Sequence, residues 1–494
     1  HDVMPFVRSR GSALLALLLG TWFGAPAASA IPAVPQVNWS NCTAMLGDAS
    51  DIPAARCALV PVAANIDVAV IRIPAEGARI GSLFVNPGGP GGSAVDAVAG
   101  MGAALKGSPI NEHFDLVGVD PRGVGHSTPE LRCRTDAEFD AWRAEPMVDY
   151  SPAGVAHIEA LYQQFADRCV NRMGKDFLSG VGAATTADDM DAVRRVLGDE
   201  QINYLGFSYG TQIGTSYVNR YGDHVRAMVL DGAIDPSIGP IEKSIRQMAA
   251  FQQAFDDYAA DCALSPDCPL GQDPTQSVAR FQALVDPLVA RPAAVTGDRR
   301  GLGYADAITG TVNALYTPSF WKYLTSGLLG LARGTDPGDL LLLADVYENR
   351  SIDGTYRNTQ DAFNAVRCVD APYPTDPAVW VAADERTRQV APFASYGAFT
   401  GYAPRDICAF WPVPATSTPA PAAPAAPGQV VVVSTTHDPA TPYQAGVDLA
   451  RQLGAPLITY EGTQHTAVFN GIECIDTATV SYFVDGVVPG NLHC

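Results

Sequence analysis

The pattern richest in chemistry is a serine between glycines, Gly206-Phe207-Ser208-Tyr209-Gly210. G-x-S-x-G arises often in a glycine-rich chain, so its neighbours decide its meaning. An apolar run, INYLG at 202–206, leads into it, and a helical pattern, TQIGTSYVNRYG, leads out. Such a tight turn from strand to helix strains the serine backbone and lifts its hydroxyl above the sheet, with the glycines leaving room. A serine hydroxyl is a weak nucleophile near neutral pH and needs a base, itself oriented by a carboxylate. Downstream, Asp438 follows VVVVSTTH and His465 follows PLITYEGTQ, each just beyond a strand-like run. His465 is therefore expected to take the Ser208 proton, and Asp438 to fix its tautomer and stabilise the imidazolium. His437 competes for the base, but beside Asp438 on the same loop it is expected to point elsewhere. In DPATP, Thr441 either braces the acid loop or only caps the following helix.

Acyl transfer also needs two donors for the oxyanion. The amide of Tyr209 is one. Gly89, in the glycine loop NPGGPGGS at 86–93, is expected to supply the other. A glycine loop after a strand can instead cradle phosphate, but this one lacks Gly-Lys-Ser/Thr and G-x-G-x-x-G. No nucleotide or other cofactor is expected. A metal is not expected either, because the cysteines lack paired Cys-x-x-Cys spacing.

The elements that must position these residues are legible as alternating apolar runs and amphipathic stretches. The runs VAVIRI (68–73), SLFVN (82–86), FDLVGVD (114–120), INYLG and AMVLDG (227–232) read as buried parallel strands. Between them, TTADDMDAVRRVLG reads as a helix capped by Thr185 or Thr186. After Pro236 the pattern turns helical to about Trp411 and reads as an all-helical insertion. PVPATSTPAPAAPAAP (412–427) is either an interdomain linker or, preferably, an extended, poorly packed surface loop, since QVVVVST (429–435) and PLITYEG (456–462) resume the sheet. The expected organisation is a leader at 1–30, a first core part at 31–235, a helical cap at 236–411 and a final core part at 412–494.

Lys and Arg number 32 against 52 Asp and Glu, a formal charge of −20. This surface repels phosphate backbones and anionic membranes, so nucleic acid is not expected as a partner. Arg8 and Arg10, the apolar run at 12–24 and Ala28-Ser29-Ala30 have the layout of a cleaved secretory signal. No further apolar stretch is long enough to span a membrane. Ten cysteines in an exported chain favour disulfides. The most local scheme pairs Cys42 with Cys57, Cys133 with Cys169, Cys262 with Cys268, Cys368 with Cys408, and Cys474 with Cys494.

Taken together, NPGGPGGS, VGVDPRGVGHS (117–127), GFSYGTQIGTSYVNRYGDHVRAMVLDGAIDP, STTHDPATP and EGTQHT resemble the tripeptidyl aminopeptidase and prolyl iminopeptidase group of α/β-hydrolases. The likeness spans about 37–494 and is greatest to the secreted bacterial tripeptidyl aminopeptidase branch. It implies an α/β-hydrolase fold with a mostly parallel sheet and an inserted helical cap, and it implies release of short peptides from a free N-terminus. It places nucleophile, acid and base on Ser208, Asp438 and His465. Pro87 stands where prolyl iminopeptidases usually carry His, which disfavours removal of a single proline. The family grips the substrate ammonium with cap carboxylates; Asp370, and less so Glu242, are candidates here, though a solvated or structural acid is the better reading of each. A monomer acting on peptides or small proteins outside the cytoplasm, either released or held at the envelope, is expected. A carboxylesterase or lipase using the same triad, and an inactive envelope or binding protein, are the competing readings.

Overall fold

The structure, a computed structural model, describes residues 34–494. The leader expected at 1–30 lies outside the described residues. Every apolar run read above as a strand forms one, and together they build one sheet. Its strands are β1 Arg56–Ala63, β2 Ile66–Ile73, β3 Gly81–Asn86, β4 Phe114–Val119, β5 Ile202–Phe207, β6 Val225–Asp231, then β9 Val430–Thr435, β10 Leu457–Tyr460 and β11 Leu492–His493. The spatial order is β1-β2-β4-β3-β5-β6-β9-β10-β11. From β4 to β11 all neighbours are parallel.

One expectation about the first strands is corrected, and one strand is added. β2 is antiparallel to β4, because it enters the sheet from a hairpin with β1 that turns at Asn65, where φ is 60°. An apolar run records burial on both faces but not direction. β1, RCALVPVA, is the added strand, and it contains Pro61. That proline is tolerated because β1 is the edge of the sheet, and a register shift falls between Pro61 and Ala63.

Apolar side chains cover both faces of the sheet. One cluster gathers Val68, Val70, Phe84, Tyr204, Ile213 and Leu230, and the other Ile71, Leu83, Leu116, Leu205, Val229 and Val433. A third core, around Phe255, Phe281, Leu315, Leu328 and Phe393, is built by the chain between β6 and β9. That stretch is mostly helical, as expected, but not all-helical. β7 (Ala293–Val295) and β8 (Asp298–Leu302) form a hairpin turning at Gly297. The charged sequence DRRGL hides its strand character. The helix expected at Thr185 or Thr186 begins earlier, at Ala183, with Gly182 at its cap and no side-chain cap of its own. Its first amide donates instead to the distant Asp370 carboxylate at 2.8 Å.

The Pro/Ala-rich stretch is extended but not poorly packed. Val413 and Ala422 join the core, and the amides of Thr416, Ala420 and Ala425 donate to Val369, Pro236 and Leu453. The cysteines pair in the local scheme, Cys42–Cys57, Cys133–Cys169, Cys262–Cys268, Cys368–Cys408 and Cys474–Cys494. No described helix is long and apolar enough to cross a membrane.

Candidate active site

β5 ends at Phe207 and the helix Tyr209–Arg220 starts two residues later, leaving Ser208 alone at the turn. Its φ of 55° and ψ of −123° are a strained conformation for a residue with a side chain, and such strain gathers at functional sites. The flanking glycines are required: a Cβ on Gly206 would lie 2.5 Å from the Gly210 carbonyl, and one on Gly210 would lie 2.6 Å from that of Asn86. The Ser208 amide donates to the Asp231 carbonyl at 2.9 Å, which pins the turn to β6.

Asp438 follows β9 and is buried, 1% exposed. Its Oδ1 accepts the amides of Ala440 and Thr441 at 2.9 and 2.8 Å, and its Oδ2 accepts the Thr441 hydroxyl at 3.0 Å. Thr441 thus braces the acid loop. The following helix, Tyr443–Leu453, has Pro442 at its cap and no side-chain cap. His465 follows β10 and brings Nδ1 to 2.9 and 3.0 Å from the two Asp438 oxygens, so Nδ1–H donates and Nε2 is left as the basic atom. Burial alone would lower the His465 pKa. The charge and hydrogen bond of Asp438, helped by Asp231, outweigh it and hold the pKa above the usual histidine value. His437 turns away, its Nδ1 2.8 Å from Asp257.

The chain between β6 and β9 closes over the histidine. The His465 amide donates to the Tyr316 carbonyl at 2.8 Å, and the Tyr316 ring stands edge-on to the imidazole with centroids 5.4 Å apart. Beneath, Asp231 joins the nucleophile turn to the histidine loop. Its carbonyl holds Ser208, while its Oδ2 accepts the amides of Ala467 and Val468, both at 2.8 Å. Sequence reading passed over Asp231 because it ends an apolar strand like many turn acids.

The glycine loop lies directly against the serine. A Cβ on Gly88 would come within 3.0 Å of the Ser208 Cβ. The Gly88 amide is spent on Asn86 Oδ1 at 2.9 Å, whereas the amides of Gly89 and Tyr209 have no partner among the described residues. Two free amides on the two loops that meet at Ser208 form a donor pair suited to a developing oxyanion.

Gly89 and Tyr209 also line a cavity of about 340 Å³ with Lys243, Arg367, Asp370 and Asp406. Asp370 is therefore at the site, but both its oxygens are engaged: Oδ1 by the Ala183 amide and Oδ2 by the Tyr209 hydroxyl. Burial pushes its carboxyl up to about 6. Glu242 is not brought to the cavity. Its carboxylate is paired with Arg246 and Arg386, both at 2.9 Å. Glu348, which sequence reading did not single out, closes the helix Gly338–Glu348 beside Tyr347, whose ring lies 6.3 Å from that of Tyr316. It is only partly covered, has no hydrogen-bonded partner among the described residues, and its carboxyl is pushed up to about 7 by desolvation. Nothing in DVYENR marks it, because only tertiary packing places it there. Among the described residues no cluster of three or more metal-ligating side chains occurs.

A strained serine at a strand-to-helix turn, an acid and a histidine after later parallel strands, and this strand order define a hydrolase class. A family model described as the alpha/beta hydrolase fold matches residues 81–472, and the chain belongs to that family as an enzyme of the serine-hydrolase type. It is 66% identical to carboxylesterase B of Mycobacterium tuberculosis, over 93% of this chain and 90% of that protein. It is 50% identical to the serine protease Hip1 of the same organism, over 92% and 89% of the two chains. It is 30% identical to the tripeptidyl aminopeptidase of Streptomyces lividans, over 94% and 87%.

Proposed function

We propose that the protein is an extracytoplasmic serine peptidase that hydrolyses peptides near a free N-terminus through an acyl-enzyme on Ser208. In this reading Ser208 Oγ attacks the scissile carbonyl as His465 Nε2 takes its proton. The amides of Tyr209 and Gly89 receive the oxyanion, and Asp438 stabilises the imidazolium. His465 then protonates the leaving amine. Water completes the second half by the same route. Thr441 is a positioning residue that holds Asp438.

The observation that carries the peptide reading is the cavity beside the oxyanion donors, whose lining includes two basic and two acidic side chains, Lys243, Arg367, Asp370 and Asp406. A long acyl chain seeks hydrocarbon walls, whereas a peptide offers polar groups to such a lining. Names of relatives at 50% and 30% identity, a serine protease and a tripeptidyl aminopeptidase, agree with it. Glu348, which has no hydrogen-bonded partner among the described residues and follows Tyr347 on the Tyr316 side of His465, is the acid we assign to the substrate ammonium. Five disulfide pairs fit an oxidising compartment.

The relative at 66% identity is named a carboxylesterase, which favours ester hydrolysis by the same triad as the second reading. A tripeptide anilide with a free N-terminus, its N-acetylated form and a short-chain p-nitrophenyl ester separate the two. The free peptide is expected to turn over at least about tenfold faster than the blocked one, as befits a charge-assisted contact. Equal rates on free and blocked peptides would overturn the aminopeptidase reading. Failure of a fluorophosphonate probe to label Ser208 would favour an inactive binding protein.

A further inference from the structure

The cavity next to Gly89 and Tyr209 has more hydrogen-bond donors than its own acceptors can use. Lys243 projects from the helix Pro240–Cys262 as a half-buried ammonium with three donors and no hydrogen-bonded or ion-paired partner among the described residues. Asp370 and Asp235 attract it through space without bonding to it, and desolvation lowers its pKa. In the same lining, Arg367 donates Nε to Asn364 at 3.0 Å and Nη1 to Tyr373 and Asp406 at 3.3 and 2.9 Å. Its Nη2 has no partner among the described residues. The acids are largely committed: Asp370 to Ala183 and Tyr209, and Asp406 Oδ1 to Arg367 and to the Cys408 amide at 2.8 Å.

A half-buried ammonium without a partner is an expensive arrangement unless something arrives to pair with it. We propose that this cavity is a carboxylate subsite, in which Lys243 and Nη2 of Arg367 receive an acidic group of the substrate beside the bond being cleaved. A carboxylate matches the planar edge of a guanidinium and carries a single charge. A dianionic phosphate would be opposed by Asp370 and Asp235, which flank Lys243. The carboxylate belongs either to an acidic side chain or to the C-terminus of a short peptide. This inference deepens the peptidase reading and rests on the Ser208 chemistry proposed there.

The test compares kcat/KM within matched pairs of substrates. One pair places Glu or Gln next to the scissile bond in a C-terminally amidated peptide. A second keeps neutral side chains and offers a free or an amidated C-terminus. A third uses esters, the monoester of a dicarboxylic acid against its amide. The wild-type enzyme is expected to favour the acid at least about tenfold in the pair that identifies the source. Lys243→Met should bring that ratio to within about twofold, and Lys243→Arg should keep most of it. Because each ratio is internal to one preparation, partial loss of folded variant does not alter it. Acid preference on esters with no peptide turnover would sink the peptidase reading and leave the subsite standing. A ratio near one in every wild-type pair, or one that survives Lys243→Met, would overturn the subsite.

Discussion

Asp231 concentrates more structure into one residue than its place at the end of an apolar strand suggests. Its carbonyl fixes Ser208, its Oδ2 fixes the loop after His465, and its Oδ1 is buried without a partner among the described residues. Burial pushes its carboxyl up to about 6, so above that pH it places a second negative charge near the imidazole. His465 is held above its usual pKa partly by that charge. Asp231→Asn retains an acceptor for Ala467 and Val468 while removing the charge. The acid limb of the kcat/KM profile, where activity is lost as His465 protonates, is therefore expected to move to lower pH, with a rate loss under about tenfold at the optimum. By contrast, Ser208→Ala or His465→Ala should cost about 10⁴ or more in kcat. A pH–rate profile of Asp231→Asn with an unmoved acid limb would mean that its charge does not reach the histidine.

At the scale of elements, the nucleophile turn and the glycine loop are a single packing unit. Gly88 has φ +90°, and a Cβ there would sit 2.5 Å from the Phe207 carbonyl and 2.8 Å from the Tyr209 amide. Gly88→Ala should therefore push the loop off the turn, separate the two oxyanion donors and lower kcat/KM by about 10²–10³, the scale of losing one such donor. Gly100→Ala, inside the helix Ala94–Ala104 with open space around it, is the contrasting change and should leave kcat/KM untouched. Equal effects of the two would refute a special role for Gly88. The turn and both later loops were readable in sequence because each follows an uninterrupted apolar strand. What was hidden depended on partners far along the chain. Pro61 concealed an edge strand, the charges of DRRGL concealed a hairpin, and the cap of the helix at Ala183 came from Asp370, 187 residues away. Lys243 and Glu348 carried no local signal, since a lone cation or acid on an amphipathic helix ordinarily faces water.

The whole molecule combines a formal charge of −20 with several acids whose pKa values the fold raises. Burial pushes Asp120, Asp231 and Asp370 each up to about 6 from 3.8, and Glu348 up to about 7 from 4.5. A raised carboxyl pKa means that the folded chain binds more protons than the unfolded one between the two values. Stability from these groups is thus fully present below about pH 4 and is lost as pH rises through 6 to 7. Each contributes on the order of 1–3 kcal/mol across its window. His465, raised above 6.5, has the same sign. Acids held below their usual range by arginine, such as Glu159 beside Arg405 and Asp298 beside Arg300, act in the opposite direction, but only as pH falls through about 4 and below. Easing the net negative charge also favours the compact state on mild acidification. Stability should therefore rise from pH 7.5 to about 5.5 while activity falls as His465 protonates, so the two optima separate. Scanning calorimetry alongside kcat/KM from pH 4.5 to 8 would display the split, and Asp120→Asn should flatten the Tm curve without moving the acid limb of activity. A Tm that falls steadily from pH 7.5 to 5.5 would show that these buried acids are not the charges governing stability.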